Sequence, residues 1–214
     1  MDTPTVVYLV RHGECEGNAD NRLRGRVDFP LNETGRLQAK AVAKALCCER
    51  LEYVYSSPLK RALETAEFIA APHGLSVISR EGFNNMRLGV WENRKKDELE
   101  KEFPEMWKLW LTNPESLNIE GAETSDNVQA RAFAALNGIV NSHRGARIAV
   151  VSHRGVLKPL IAAALGIAKP YMWRIHLDNA SCSCLTYTQE RGYTLIKSNS
   201  VEHLRGISFV REFN

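Results

Sequence analysis

The sequence predicts an α/β fold with a mostly parallel central sheet. Two apolar runs, Val6-Val7-Tyr8-Leu9-Val10 and Ile148-Ala149-Val150-Val151, are too short for an ordinary globular helix and read as strands buried on both faces. Each run stops in a histidine with a glycine close behind: His12-Gly13 in the first case, His153-Arg154-Gly155 in the second. Between them, short strand-like runs alternate with stretches of helical period, the arrangement of βαβ units.

Size and composition narrow the class. A chain of 214 residues is one domain (1–214), or one domain with an inserted cap, and can bury a substantial core. A content of 44% hydrophobic and 25% charged residues fits a soluble globular protein. The net charge of +3 is small and no long basic run stands out, so nucleic acid is not a favoured partner. No stretch has the length of a membrane span or the pattern of a secretory signal. Five cysteines show neither a zinc spacing nor a disulfide framework, which predicts a reducing, cytoplasmic setting. His73, His143, His176 and His203 share no ligand spacing, so no metal site is expected.

The elements follow in order. Residues 15–30 are polar, contain Gly17, Gly25, Arg22, Arg24 and Arg26, and lack helical period, so a loop is expected. From Asn32, a suitable N-cap, Leu37, Ala41, Ala45 and Cys48 fall on one helical face. Residues 51–55 read as a second strand. A helix then opens at Ser56-Ser57-Pro58-Leu59-Lys60-Arg61, with Ser57 as cap and Pro58 at the first helical position. Its apolar face is Leu59, Ala62, Leu63, Ala66, Ile69 and Ala70. Arg61 falls in the first turn, where acids are the usual choice, and that local misfit points to a functional role.

Residues 75–78 read as a third strand and 81–91 as irregular. Residues 92–111, charged and aromatic around Pro104, predict one or two helices of a cap (roughly 81–122) whose aromatics pack together rather than line a ligand cage. Residues 113–121 form a loop and 123–142 a long amphipathic helix. Another helix covers 156–165, with Pro159 tolerated near its start. Residues 182–187 and 193–197 alternate around Arg191-Gly192 and predict a hairpin at the sheet edge. That edge offers a means of pairing into a homodimer. The tail from Ser200 shows no clear pattern.

The chemistry concentrates where the strands stop. If the two histidine-terminated strands are neighbours, His12 and His153 converge on one sheet edge, beside the helix that opens with Arg61. Arg11 and Arg61 can each fork onto phosphate oxygens, and Asn18 can donate its amide. His12, neutral and oriented through its other ring nitrogen, can attack phosphorus in line while His153 donates to a charged oxygen. Neighbouring cations disfavour the imidazolium and keep His12 unprotonated. Two guanidiniums supply the positive charge that a metal supplies elsewhere, so neither metal nor cofactor is required.

Arg11-His12-Gly13-Glu14, Asn18, Ser57-Pro58-Leu59-Lys60-Arg61-Ala62, Gly89-Val90-Trp91-Glu92 and Ser152-His153-Arg154-Gly155 together resemble the histidine phosphatase superfamily, in its phosphoglycerate-mutase-like branch. Gly121-Ala122-Glu123 and Asp178-Asn179-Ala180-Ser181 also match in position. The resemblance implies a three-layer α/β/α sandwich with a small helical cap. It also implies a phosphohistidine on His12 and a phosphate pocket of Arg11, Asn18, Arg61 and His153. The activity implied is that of a metal-independent phosphomonoesterase on a small phosphorylated metabolite. A phosphoglycerate mutase is the alternative, although members of that type typically run longer and carry a fuller cap.

One position departs from the pattern. The branch usually has a carboxylate four residues before the Gly of Gly-x-Trp-Glu, where it protonates the leaving oxygen; here that position is Asn85. An amide cannot protonate an alkoxide, and general acid catalysis contributes about 10²–10⁴-fold. Glu81 in the same loop is a candidate substitute acid, with Glu14 and Glu123 as weaker ones. Otherwise the chain is an impaired enzyme, a phosphate-ligand-binding protein, or a variant altered to trap a complex. Residues 107–111 and 22–26 would decide the substrate.

Overall fold

Val7 and Leu9 face one side of the central sheet, Tyr8 and Val10 the other, and both sides are covered. The computed structural model describes residues 3–207. The first strand is β1 (Thr5–Arg11), followed by a single helical turn, α1 (Glu16–Ala19), the short β2 (Arg22–Leu23) and the helix α2 (Glu33–Leu46). Next come β3 (Tyr53–Ser56), α3 (Lys60–Ala70), β4 (Val77–Ser79), β5 (Arg94–Lys95), α4 (Lys96–Glu102) and α5 (Pro104–Thr112). The remaining elements are α6 (Ser125–Ser142), β6 (Arg147–Ser152), α7 (Arg154–Leu165), β7 (Cys182–Thr188) and β8 (Gly192–Ser200).

The six-stranded sheet has the order β4-β3-β6-β1-β7-β8. Strands β4, β3, β6 and β1 run parallel, and β7 is antiparallel to both of its neighbours, as expected for a hairpin at the edge. On one face, Val7, Leu9, Ile148 and Val150 pack against Leu136 and Ile139 of α6 and Val156 and Leu160 of α7. On the other, Tyr8, Val10, Ala149 and Val151 meet Val42 and Leu46 of α2 and Ala62 and Ile69 of α3. A double-sided apolar strand therefore makes three layers. A third cluster around Trp91, Leu99 and Trp107 gathers the segment that carries α4 and α5.

Several local expectations are corrected. In α2 the buried side is Gly35, Gln38, Ala39, Val42, Ala43 and Leu46, whereas Leu37 is 51% exposed. Gln38 disguises that face: it is buried because its Oε1 accepts a hydrogen bond from Glu14 N at 2.8 Å. Helix α3 begins at Lys60 with Leu59 as N-cap, so Ser57 does not cap it. Pro159 lies in the second turn of α7 rather than at its start, and the burial of Val156, Leu157, Leu160 and Ile161 offsets the forfeited backbone bond. The stretch read as a loop at 15–30 contains α1 and β2, the latter paired with β5. In the tail, Glu202–Leu204 forms a 3₁₀ turn that buries Leu204, and the residues after 207 lie outside those described.

The turn after β1 lies directly on α2. A Cβ on Gly13 would overlap the carbonyl oxygen of Gly35, and one on Gly35 would overlap that of Glu14. Backbone meets backbone here, which only glycine permits. Gly35→Ala should therefore destabilise the fold by about 1–3 kcal/mol through overpacking, even though alanine in an open helical position gains about 1 kcal/mol over glycine. Urea denaturation checks the sign: a raised midpoint would show that the close approach is not a constraint.

Candidate active site

Register builds the site. Arg11 pairs with Ser152 at the last rung of the β1–β6 ladder, so His12 and His153, each the next residue, leave the sheet side by side. Their ring centroids are 5.0 Å apart with the planes inclined at 59°. Both are buried. Nδ1 of His12 donates to its neighbour's carbonyl, Gly13 O, at 2.6 Å, which assigns the proton to Nδ1 and leaves the lone pair on Nε2. Nε2 of His153 lies 2.7 Å from Ser57 Oγ, while its Nδ1 is buried without a hydrogen-bond partner among the described residues.

Two buried guanidiniums surround this pair. Arg11 Nη1 donates to Leu177 O at 2.9 Å. Arg61, wholly buried in the first turn of α3, donates from Nη1 to Val27 O at 2.9 Å and from Nη2 to Gly25 O at 3.1 Å. Its Nε has no partner among the described residues. A buried donor left unpaired costs free energy unless a ligand satisfies it. Asn18 presents its oxygen to Cys15 N at 3.1 Å and to Asn179 Nδ2 at 3.3 Å. The turn before β7 supports the whole edge: Arg11 N donates to Ser181 O and Ala180 N to His12 O, both at 3.1 Å.

Burial and charge act together on the imidazoles. Burial first, then the charges of Arg61 and Arg11, hold His12 well below the usual value of 6.5. His153 is depressed in the same way by burial, Arg61 and His12. Both rings are therefore neutral near pH 7, in the direction expected from the sequence, with burial ranking ahead of the guanidiniums. Burial also draws Arg61 down from 12.5 to about 10, which still leaves it a cation.

The histidines open into a cavity of about 390 Å³. Arg11, His12, Asn18, Asn85 and His153 line it; Arg61 stands behind that wall, close enough for its charge to act on both rings. Asn85 donates from Nδ2 to Gly25 O at 2.6 Å. Glu81 is exposed, does not line the cavity, and accepts from Asn84 Nδ2 at 3.0 Å. Glu123 is bound by Arg131 at 2.6 and 3.0 Å; burial favours its neutral form, but these bonds and the Arg131 and Arg26 charges outweigh burial and keep it ionised. Among the described residues only Glu14 brings a carboxylate to the cavity wall, and its Oε1 accepts from Asn32 Nδ2 at 2.8 Å.

Other site residues were missed or misread in the sequence. Ser57 orients His153 instead of capping a helix. Trp110 lines the cavity although the aromatics of its segment read as packing, and Met172 and Trp173 join it from a stretch with no distinguishing pattern. No three or more His, Cys, Asp or Glu side chains among the described residues are grouped to hold a metal ion, and no helix there is long and apolar enough to cross a membrane.

The sequence pattern of the histidine phosphatase superfamily (branch 1) matches residues 7–200. Phosphoglycerate mutase-like protein 4 of Arabidopsis thaliana is 39% identical over 209 residues, which cover 96% of this chain and 89% of that protein. Phosphoserine phosphatase 1 of Hydrogenobacter thermophilus is 34% identical over 198 residues, covering 92% and 93% respectively. Among solved structures, Bacillus stearothermophilus YhfR superposes with a TM-score of 0.89 at 30% identity, over 94% of this chain and 99% of that one. With the match running from β1 to the end of β8, the chain belongs to the histidine phosphatase superfamily, branch 1.

Proposed function

We propose that the chain is a metal-independent phosphomonoesterase that acts on a small phosphorylated metabolite through a phosphohistidine on His12. The observation that carries this reading is the neutral His12 ring: its Nδ1 is committed to Gly13 O, and the charges of Arg61, Arg11 and Arg24 act on it. The phosphate is held by Arg11, Arg61 through its unpaired Nε, the Nδ2 of Asn18 and the Nδ1 of His153. Nε2 of His12 donates its lone pair to phosphorus; the N–P bond forms as the bond to the leaving oxygen breaks and takes its electron pair away. Charge grows on the equatorial oxygens, where the donors already stand. Water then attacks phosphorus, the N–P bond returns its electrons to His12, and inorganic phosphate leaves.

Asn85 supplies no proton to the leaving oxygen, so in this reading alkyl esters turn over slowly. Glu81 is a poor substitute because of its exposed position outside the cavity. A mutase is the second reading, supported by the mutase-like relative, and a phosphate-ligand-binding protein is the third, supported by Asn85 alone. Release of phosphate, as against exchange between phosphoglycerate isomers, separates the first two. A cytoplasmic setting belongs to the same reading and is supported by five free cysteines. Subunit pairing through β8 is supported by its place at the end of the strand order and by Ile196, 61% exposed. Residues 81–122 are taken as the cap of a single domain.

The direct test is mass spectrometry after an alkaline quench with an activated aryl phosphate: one phosphoryl group on His12, absent in His12→Ala, is expected. Phosphate release without any labelled histidine would reject the mechanism. Asn85→Glu should accelerate hydrolysis of an alkyl phosphate by about 10²-fold or more while hardly changing that of an activated aryl phosphate; no gain with either would dismiss the missing acid. In NMR titrations the His12 and His153 rings should remain neutral through pH 6.5. Unfolding restores both rings to an ordinary value of about 6.5, so the unfolded chain binds protons that the fold refuses. Their contribution to stability is therefore complete above that pH and declines as the pH falls below it, which denaturation midpoints at pH 8 and pH 5 will report.

A further inference from the structure

We propose that the site prefers phosphate esters whose leaving group is broad, flat and apolar, of the size of a fused aromatic ring system, over those with a short aliphatic leaving group; this rests on the phosphoryl-transfer reading above. The first ground is size. A cavity of about 390 Å³ lies in the range that encloses drug-sized molecules, and a phosphorylated three-carbon acid fills only part of it. The second is the chemistry of the wall. One part of it is built of Trp110, Trp173, Met86, Met172, Leu23 and Leu88, while Arg22, Arg24, Lys96 and Arg154 line the rest. The two indoles meet edge to face, with centroids 6.1 Å apart and an interplanar angle of 80°. Against the tryptophans and methionines a flat ring gains contact that a short aliphatic chain cannot make.

The third ground is that this wall is fastened with unusual groups. Lys158, 2% exposed in the apolar helix α7, donates from Nζ to Met172 O at 2.7 Å and lies 4.7 Å from the centre of the Trp173 ring. A lysine this buried is rare and costly unless well partnered. From the other side, Oε1 of Glu115 accepts from Tyr171 N at 2.6 Å and Met172 N at 2.7 Å. Trp173 Nε1 donates to Trp110 O at 3.0 Å. An ammonium and a carboxylate thus grip one short segment and set its tryptophan relative to α7, the helix that follows His153. Lys158 is a positioning residue for the leaving-group wall, and Trp173 sets specificity.

Binding of two non-hydrolysable phosphonates, measured by calorimetry, tests this without requiring turnover. Naphthylethyl phosphonate should bind about 10- to 100-fold more tightly than propyl phosphonate, the range expected from burying one aromatic group. Trp173→Ala and Trp173→Leu should remove most of that preference and leave propyl phosphonate within about twofold of its original affinity. Lys158→Met should weaken only the naphthyl ligand, and Lys158→Arg should restore it. Equal affinities in the unaltered protein would overturn the proposal, as would a preference that survives both tryptophan variants. Failure of both ligands to bind would overturn the phosphate cradle and this proposal together. The phosphoryl-transfer reading fails separately if the naphthyl preference holds but no phosphoryl group is found on His12.

Discussion

The parallel pairing of β1 with β6 is the constraint on which the rest depends. Their ladder ends with Arg11 opposite Ser152, and the next residue of each strand is a histidine. One step of slippage would separate the rings by a residue and turn each strand's alternating side chains to the wrong layer. Register is protected because both faces are buried: Val7 and Leu9 belong to one core, Tyr8 and Val10 to the other. The apolar packing of four helices is thereby converted into a separation of 5.0 Å between two imidazoles. Backbone contact between Gly13 and Gly35 fixes the direction in which the chain leaves that edge.

The electrostatic design follows from the same burial. Removing two guanidiniums from water is expensive, and the fold offsets this with main-chain carbonyls: Leu177 for Arg11, Val27 and Gly25 for Arg61. Neutral carbonyls satisfy hydrogen bonds without cancelling charge. Burial also keeps both imidazoles uncharged, with the Nδ1 of His12 committed to Gly13 O and the Nδ1 of His153 without a hydrogen-bond partner among the described residues. Under the proposed chemistry a tetrahedral anion would satisfy the Nε of Arg61, which has no partner among the described residues.

How much of this the sequence disclosed depends on the range of the interactions. The strand ends could be read because a short apolar run terminated by His-Gly is a local signal, and Asn32 could be read as a cap because capping is local. The face of α2 was mistaken because Gln38 looks solvent-facing until its partner, the Glu14 amide, is known. Ser57 was misplaced because its partner His153 lies 96 residues away. Met172, Trp173 and Lys158 carry no pattern of their own; only the closure of the chain around the cavity brings them together. Pro159 shows the other limit, since the packing of α7 overrides a local rule.

Asn85 is best understood through what its side chain holds. Its Nδ2 donates to the carbonyl of Gly25, the same oxygen that accepts from Arg61 Nη2. An ionised carboxylate at this position would set two acceptors against each other, whereas an amide or a protonated carboxyl can each donate to that oxygen. Position 85 is thus an environment for a donor, and the loop around Gly25 would favour the protonated form of an acid placed there. The amide retains one half of that function: it secures the loop that in turn holds Arg61. It gives up the other half, the transferable proton. Under the proposed chemistry, phosphate capture and leaving-group release therefore meet at position 85: an amide there still fastens the loop that holds Arg61, but gives the leaving group no proton.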